Sequence, residues 1–376
     1  MKKLLNNLYR SNCTFWTSQT PLSLDCGTEL PTFTLAYSSW GELSPCADNV
    51  VLVCHGLTGT SNAIEWWAPL FGVGKALDPT RDFIVCSNVL GGCAGSTGPT
   101  SNASNGMPYG AAFPALTIRD QVRAQMRLLD ALVIRSISMV IGGSLGGMQA
   151  LEWALIDPLR VESIAVVAAS SRHSPWCLAW NETQRMVLRS DPSFKEGCYT
   201  PDCQPSIGLG AARALAMLSY RTPQALHQRF GVDCGTGDAV LDDRFSVHEW
   251  LHHHAATFTD RFDANSYLTL ISAMDKHDVG RDRGGIGAAL SQCKKPALIV
   301  SISSDLLYPP VEQREMAAQL PGAEFAEMAS MHGHDGFLID AAKLEPCVSR
   351  FRQRVSDLDP AYARIANRKE VSHAAS

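Results

Sequence analysis

The sequence has no apolar run approaching a membrane span, no block of like charge, no Cys-x-x-Cys pair and no internal repeat. Each absence removes a class of protein. A bilayer-crossing helix needs about 20 consecutive apolar residues, so a helical integral membrane protein is excluded. The 32 basic and 37 acidic residues leave a net charge of -5 and are dispersed, which argues against nucleic acid and against an anionic membrane as partners. The 12 cysteines stand singly. Cys198, Cys203 and Cys234 are irregularly spaced, so neither a metal site nor a disulfide framework is expected. Cys54 and Cys86 lie in apolar runs and read as buried free thiols. Met1-Lys2-Lys3-Leu4-Leu5-Asn6-Asn7 turns polar too early for the apolar stretch of a secretory leader, and the expected compartment is the reducing cytoplasm. A 45% apolar, 18% charged composition over 376 residues fits a globular chain able to bury one large core and carry an insertion.

What is present is a rhythm of strands and helices. Residues 21–55 alternate in polarity and end in Val50-Val51-Leu52-Val53-Cys54, a continuous β-branched run of the kind a buried parallel strand shows. It stops at the turn His55-Gly56-Leu57-Thr58-Gly59. A second strand, Phe83-Ile84-Val85-Cys86-Ser87, leads into the glycine-rich stretch 91–99. A helix over about 117–134 opens at Thr117 and carries Ile118, Val122, Met126, Leu129 and Leu132 on one face. Strands at 137–141, 164–168 and 296–302, and a helix at about 145–157 stopped by Asp157-Pro158, complete a βαβ pattern. That pattern implies an α/β fold with a mostly parallel sheet. Residues 173–290 have helical periodicity without a strong β-branched run. The expected organisation is a core from 1–172 and 291–360, a helical insertion at 173–290 and a polar tail at 361–376.

The strongest chemical signal is Gly142-Gly143-Ser144-Leu145-Gly146-Gly147, set between a buried strand and an apolar helix. This is the context of a nucleophile elbow, where a serine in a tight, strained turn leaves no room for side chains two positions either side. The turn also sets the Ser144 hydroxyl at a helix start, where the dipole favours negative charge. A nucleophilic serine needs a base, and the base needs an orienting carboxylate. In α/β-hydrolases these follow in the order Ser, Asp, His. Asp305 lies just past the late strand, and His334 sits beside glycine in Met331-His332-Gly333-His334-Asp335-Gly336. His332 is the alternative base. The oxyanion hole is expected from the backbone amides of Leu145 and Leu57. These residues alone specify a serine that forms an acyl-enzyme and do not choose the acceptor.

Several longer segments narrow that choice. Gly74-Lys75-Ala76-Leu77-Asp78, Cys86-Ser87-Asn88-Val89-Leu90-Gly91-Gly92-Cys93, Gly95-Ser96-Thr97-Gly98-Pro99 and the elbow through Trp153 resemble the homoserine O-acetyltransferase family. So do Arg261-Phe262-Asp263-Ala264-Asn265-Ser266-Tyr267-Leu268 and Ala273-Met274-Asp275-Lys276-His277-Asp278-Val279-Gly280-Arg281 in the insertion. A generic esterase would share the elbow without the insertion segments. The resemblance spans about residues 30–345. It implies the α/β-hydrolase fold with a helical lid, and a ping-pong transfer of acetyl from acetyl-CoA through Ser144 to the hydroxyl of L-homoserine, in methionine biosynthesis. It implies no permanently bound cofactor, with acetyl-CoA as co-substrate, and a homodimer formed through the lid helices.

The resemblance also implies Arg213 for the amino-acid carboxylate and Asp335 for its ammonium, since a zwitterion needs such a pair; Tyr220, seven residues or two helical turns after Arg213, is expected to share the site. Relatives that use succinyl-CoA carry an arginine two residues after the catalytic aspartate. Leu307 stands there, which favours acetyl. The usual His-Ala-Leu-Thr-Gly of the family is His55-Gly56-Leu57-Thr58-Gly59 here. Val247 to His254 departs from the family pattern, and its three adjacent histidines read as a solvated helix face, since neighbours on a helix point apart. The alternatives are homoserine O-succinyl transfer, serine O-acyl transfer and a serine esterase using water.

Overall fold

The structure is a computed structural model that describes residues 13–231 and 245–358. The tail at 361–376, the N-terminal heptapeptide and Cys234 lie outside the described residues. Ten strands are present among the described residues: β1 Thr14–Ser18, β2 Leu22–Ser23, β3 Glu29–Leu30, β4 Phe33–Trp40, β5 Val50–Cys54, β6 Phe83–Ser87, β7 Ile137–Gly143, β8 Ile164–Val167, β9 Ala297–Ile302 and β10 Glu324–Met328. Eight of them form one sheet in the order β1-β4-β6-β5-β7-β8-β9-β10, while β2 and β3 make a separate hairpin. Pairing is antiparallel at β1–β4 and β4–β6 and parallel from β6 to β10. The mostly parallel α/β sheet expected from the sequence is therefore present. The short strand β1, Thr14–Ser18, precedes the alternating segment and was not singled out in the sequence.

The helices are α1 Ala63–Trp66, α2 Ile118–Ala131, α3 Leu145–Ile156, α4 Pro175–Arg189, α5 Ser206–Tyr220, α6 Pro223–Phe230, α7 Ser246–Thr259, α8 Ala264–Asp275, α9 Ile286–Gln292, α10 Pro310–Gln319, α11 Gly336–Ile339 and α12 Ala341–Leu358. Each face of the sheet is covered. Val51, Val53, Ile84, Met139 and Ile141 meet Trp67 and the Leu344, Val348 and Phe351 stripe of α12. The alternate residues Val50, Leu52, Val85 and Val140 meet Val122 and Leu129 of α2, Leu151 and Trp153 of α3 and Met316 of α10. Burying each such side chain contributes about 1.5–3 kcal/mol, so strands without polar alternation are stable only in this doubly covered setting. Helix α2 starts where its sequence dictates. Thr117 accepts from the Asp120 N–H, and Asp120 accepts from the Thr117 N–H, a reciprocal cap.

Helices α4 to α9 lie between β8 and β9. The ends of this segment are tied to one another through the backbone, by an isolated antiparallel β-bridge between Arg172 and Asp278 and a Val279 N–H to Ser171 carbonyl bond of 3.0 Å. Its far end is tied to the core. Thr222, the N-cap of α6, donates through its hydroxyl to the Met331 carbonyl at 2.6 Å. The solvated histidine face expected on α7 holds for His252 and His253, which are exposed. His254 differs: its ring lies edge-on to Trp250 at 4.9 Å. The ring of Trp250 offers it more apolar contact than water can.

Candidate active site

Strand β7 delivers Ser144 to the head of α3 with φ 57° and ψ -123°, a left-handed backbone that a serine adopts only under constraint. The glycines around it are required by distance. A Cβ on Gly142 would sit 2.2 Å from the Gly146 carbonyl oxygen, and one on Gly146 would sit 2.0 Å from that of Cys54. Neither backbone can yield without moving the head of α3 away from β7 or from β5.

The hydroxyl, imidazole and carboxylate form one chain. Ser144 Oγ donates to His334 Nε2 at 2.9 Å, and His334 Nδ1 donates to Asp305 Oδ2 at 2.8 Å. Asp305 follows β9, and its Oδ1 accepts from the N–H groups of Leu307 at 2.8 Å and Tyr308 at 2.9 Å. All three side chains are buried and lie past the carboxyl ends of β7, β9 and β10, where such sheets place their reactive groups. Burial pulls the His334 imidazole down, but the Asp305 charge and hydrogen bond outweigh it and hold the ring above its ordinary value. His332 is placed differently: its N–H donates to Ser330 Oγ at 3.1 Å, and its Nδ1 is buried without a hydrogen-bond partner among the described residues.

The first turn after β5 lies against the serine. A Cβ on Gly56 would approach Ser144 Cβ to 3.9 Å. His55 holds this turn. Its Nδ1 donates to the Gly56 carbonyl at 2.7 Å and its Nε2 accepts from the Val89 N–H at 3.1 Å. Burial lowers the His55 pKa to about 4, so the ring stays neutral and both bonds persist at neutral pH. Among the described residues no backbone carbonyl accepts from the Leu57 N–H, and the Leu145 N–H stands at the head of α3, where helix donors lack internal acceptors.

Helix α5 brings Arg213 and Tyr220 to this point. Its end docks where Gly333 turns with φ +65°; a Cβ there would meet the Tyr220 carbonyl oxygen at 2.7 Å. The Tyr220 ring lies 5.6 Å from the His334 ring, and burial pushes its phenol up to about 12. The Arg213 guanidinium lies 5.1 Å over the Phe258 ring and 5.9 Å from the Tyr220 ring. Its Nη1 is buried with no hydrogen-bond partner among the described residues, although a buried charge is normally paired. Asp335 is engaged by a residue the sequence did not single out: Arg221 Nε lies 3.0 Å from Asp335 Oδ2, close enough for an ion pair but without hydrogen-bond alignment. Burial raises the Asp335 pKa despite Arg221, His334 and Arg213. Leu307 is buried in the cluster shared by the insertion and the core, with Cys177 donating through Sγ to its carbonyl at 3.1 Å. Among the described residues no group of three or more His, Cys, Asp or Glu is arranged to hold a metal ion.

Comparison with known proteins agrees with this geometry. Residues 49–341 match the family described as alpha/beta hydrolase fold. Among solved structures, esterase E22 superposes with a TM-score of 0.83 at 26% identity, covering 91% of this chain and 100% of its own. A homoserine O-acetyltransferase from Staphylococcus aureus superposes at 0.74 and 26% identity, covering 91% and 95%. In sequence, the homoserine O-acetyltransferase of Trichormus variabilis is 50% identical over 337 residues, 89% of this chain and 92% of that protein. That of Chloroherpeton thalassium is 46% identical over 338 residues, 90% and 88%. The resemblance visible in the sequence is thus borne out, and the chain belongs to the homoserine O-acetyltransferase family of α/β-hydrolase-fold proteins.

Proposed function

We propose that Ser144, His334 and Asp305 perform a two-step acetyl transfer from acetyl-CoA to the hydroxyl of L-homoserine. The enzyme is a homoserine O-acetyltransferase, an acyltransferase of methionine biosynthesis. In the first step Ser144 Oγ attacks the thioester carbonyl and its proton passes to His334 Nε2. The tetrahedral oxyanion is met by the Leu57 and Leu145 N–H groups. The C–S bond breaks, the CoA sulfur takes the proton from His334, and acetyl-Ser144 remains. In the second step the homoserine hydroxyl gives its proton to His334 and attacks the ester. Collapse returns the proton to Ser144 Oγ and releases O-acetylhomoserine. Asp305 holds the imidazole in one tautomer and stabilises its cation in both steps.

The observation that carries the acceptor assignment is Arg213 Nη1, a buried guanidinium nitrogen lacking a partner among the described residues, on the wall that also holds Tyr220 and His334. A substrate carboxylate supplies what it lacks, and Asp335 faces the ammonium. Holding the hydroxyl at His334 in this way is worth effective molarities of about 10⁵ M or more, far above that of water, which is how transfer outruns hydrolysis. Helices α4 to α9 serve as the lid that excludes water, and the apolar Leu307 suits an uncharged acetyl group. Exposed Trp176 and Met186 on α4 and Ile207 on α5 support a homodimer formed through these helices. We place the enzyme in the cytoplasm, in keeping with described cysteines that are all free thiols; among the described residues no helix is long and apolar enough to cross a membrane.

The test follows free thiol from acetyl-CoA or succinyl-CoA with homoserine, serine or no acceptor. Fast release is expected only with acetyl-CoA and homoserine. Release as fast without an amino acid would make the protein an esterase.

A further inference from the structure

Behind the Ser144–His334–Asp305 chain runs a second one, built from a carboxylate, a histidine and a phenol. Tyr308 Oη lies 2.8 Å from His173 Nε2, and His173 Nδ1 lies 3.3 Å from Asp275 Oδ1. Asp275 is itself fixed by Asn181 Nδ2 at 2.7 Å and by the Arg185 guanidinium. The direction of each bond follows from chemistry. Nδ1 faces a carboxylate, so it carries the proton, and Nε2 is left to accept. Burial, with the Arg185 charge beside it, lowers the His173 pKa to about 4, which keeps the ring neutral. Burial raises the Tyr308 phenol, so it keeps its proton and donates.

The two chains share one turn. Tyr308 is fully buried; its N–H is one of the two donors to Asp305 Oδ1, and its ring lies 5.2 Å from that of His334. Its carbonyl accepts from Gln313 Nε2 at 2.8 Å, and the preceding carbonyl, of Leu307, accepts from Cys177. His173, Cys177, Asn181, Arg185 and Asp275 all come from the helical insertion, whereas Asp305 and Tyr308 belong to the core. Hydrogen bonds that run unbroken from Asp275 through His173 to Tyr308 rigidify what they touch.

We infer that His173, anchored by Asp275, is a positioning residue for the acetyl transfer: through the Tyr308 hydroxyl it fixes the turn that aims Asp305 at His334. The inference rests on Ser144, His334 and Asp305 being the catalytic groups. Releasing Tyr308 Oη lets the ring and its amide shift, the Asp305–His334 bond lengthens, and proton transfer slows in both half-reactions. A misplacement of about 1 Å costs on the order of a hundredfold in such a site.

The variants are Tyr308→Phe, His173→Leu, His173→Gln and the double variant Tyr308→Phe/His173→Leu, with Ser144→Ala as control. Rates are taken per active site from the burst of CoA thiol, so a misfolded fraction does not count. Tyr308→Phe is expected to lower kcat roughly tenfold to a hundredfold with little change in the KM for homoserine. The acid limb of its pH profile moves to lower pH, because a weakened Asp305 bond no longer raises His334. His173→Gln keeps an acceptor for Tyr308 and retains more activity than His173→Leu, and the double variant is no worse than the worse single one. Wild-type kcat and an unmoved acid limb in Tyr308→Phe overturn the inference, as do losses that multiply in the double variant. Should His173→Leu fail to fold, Tyr308→Phe and His173→Gln decide it alone. Residual turnover in Ser144→Ala would instead remove the catalytic reading on which it rests.

Discussion

Arg221 Nε and Asp335 Oδ2 lie 3.0 Å apart, and Asp335 directly follows His334, whose Nε2 accepts from the Ser144 hydroxyl. The carboxylate proposed to receive the substrate ammonium is therefore already paired in the free enzyme. On the proposed reading homoserine shares or displaces that contact, and Arg221 bears on amine binding as well as on the charge of Asp335. Asp335→Asn is expected to raise the homoserine KM about tenfold or more, the value of one charged hydrogen bond. Arg221→Gln should change it less, because freeing the carboxylate and losing the cation that favours its charge act in opposite directions. Arg213→Ala should raise it far more than it raises the KM for acetyl-CoA. Steady-state kinetics with each substrate varied checks all three, and equal effects on both KM values would dismiss the acceptor-site roles.

The φ of 57° at Ser144 carries a stability consequence. Ser144→Gly and Ser144→Ala both delete the hydroxyl and its bond to His334, so they differ chiefly in backbone freedom. Only glycine occupies the left-handed region without cost. Strain of this kind is worth about 1–3 kcal/mol, offset by about 0.5–1 kcal/mol from the looser unfolded chain of glycine. Ser144→Gly should therefore be the more stable of the two inactive variants by about 1 kcal/mol in urea unfolding. A Ser144→Ala protein of equal or greater stability would show that the turn stores no strain.

The elbow was legible because its constraint is local: Gly142 and Gly146 collide with backbone only a few residues or one strand away. Chain order supplied Asp305 and His334, and it is His334 rather than His332 that lies 2.9 Å from Ser144 Oγ and 2.8 Å from Asp305 Oδ2. What stayed hidden depends on partners distant in sequence. Arg221 is an ordinary cation beside Tyr220 until α5 docks on Gly333 and faces it toward Asp335. His173 is one polar residue in a loop until Asp275 returns from the far end of the insertion. His254 was expected in solvent because helix geometry alone cannot foresee the Trp250 ring against which it rests.

The raised His334 imidazole fixes the sign of the activity profile. As the base it must be neutral, so kcat/KM rises as pH increases through its pKa. The acid limb therefore lies above the ordinary imidazole value of about 6.5. Asp305 is what lifts the ring against its burial. Asp305→Asn should move the limb to lower pH and, by leaving the wrong tautomer in place, lower kcat by about 10⁴-fold. An unmoved limb would mean that another group titrates in the profile.

Three buried histidines push stability in a different pH window. Burial lowers the pKa of His55 and His173 to about 4 and of His277 to about 3. In the unfolded chain each returns to about 6.5. Between those values the unfolded state binds protons that the native state refuses, so stability falls as pH drops below about 6.5 and continues to fall toward pH 4. Each histidine contributes a slope approaching about 1.4 kcal/mol per pH unit. Asp120 and Asp335 have raised carboxyl pKa values and act in the opposite direction at the acid end, so the slope is best read between pH 6.5 and 5. His277 is the cleanest probe. It is buried, away from Ser144, and its Nε2 donates to the Ser170 carbonyl at 3.1 Å. His277→Gln keeps a donor for that carbonyl and removes one titrating group, so its slope in urea unfolding should be shallower by about 1.4 kcal/mol per pH unit. Equal slopes in wild type and variant would mean that His277 is protonated in the native state and that its burial is incomplete.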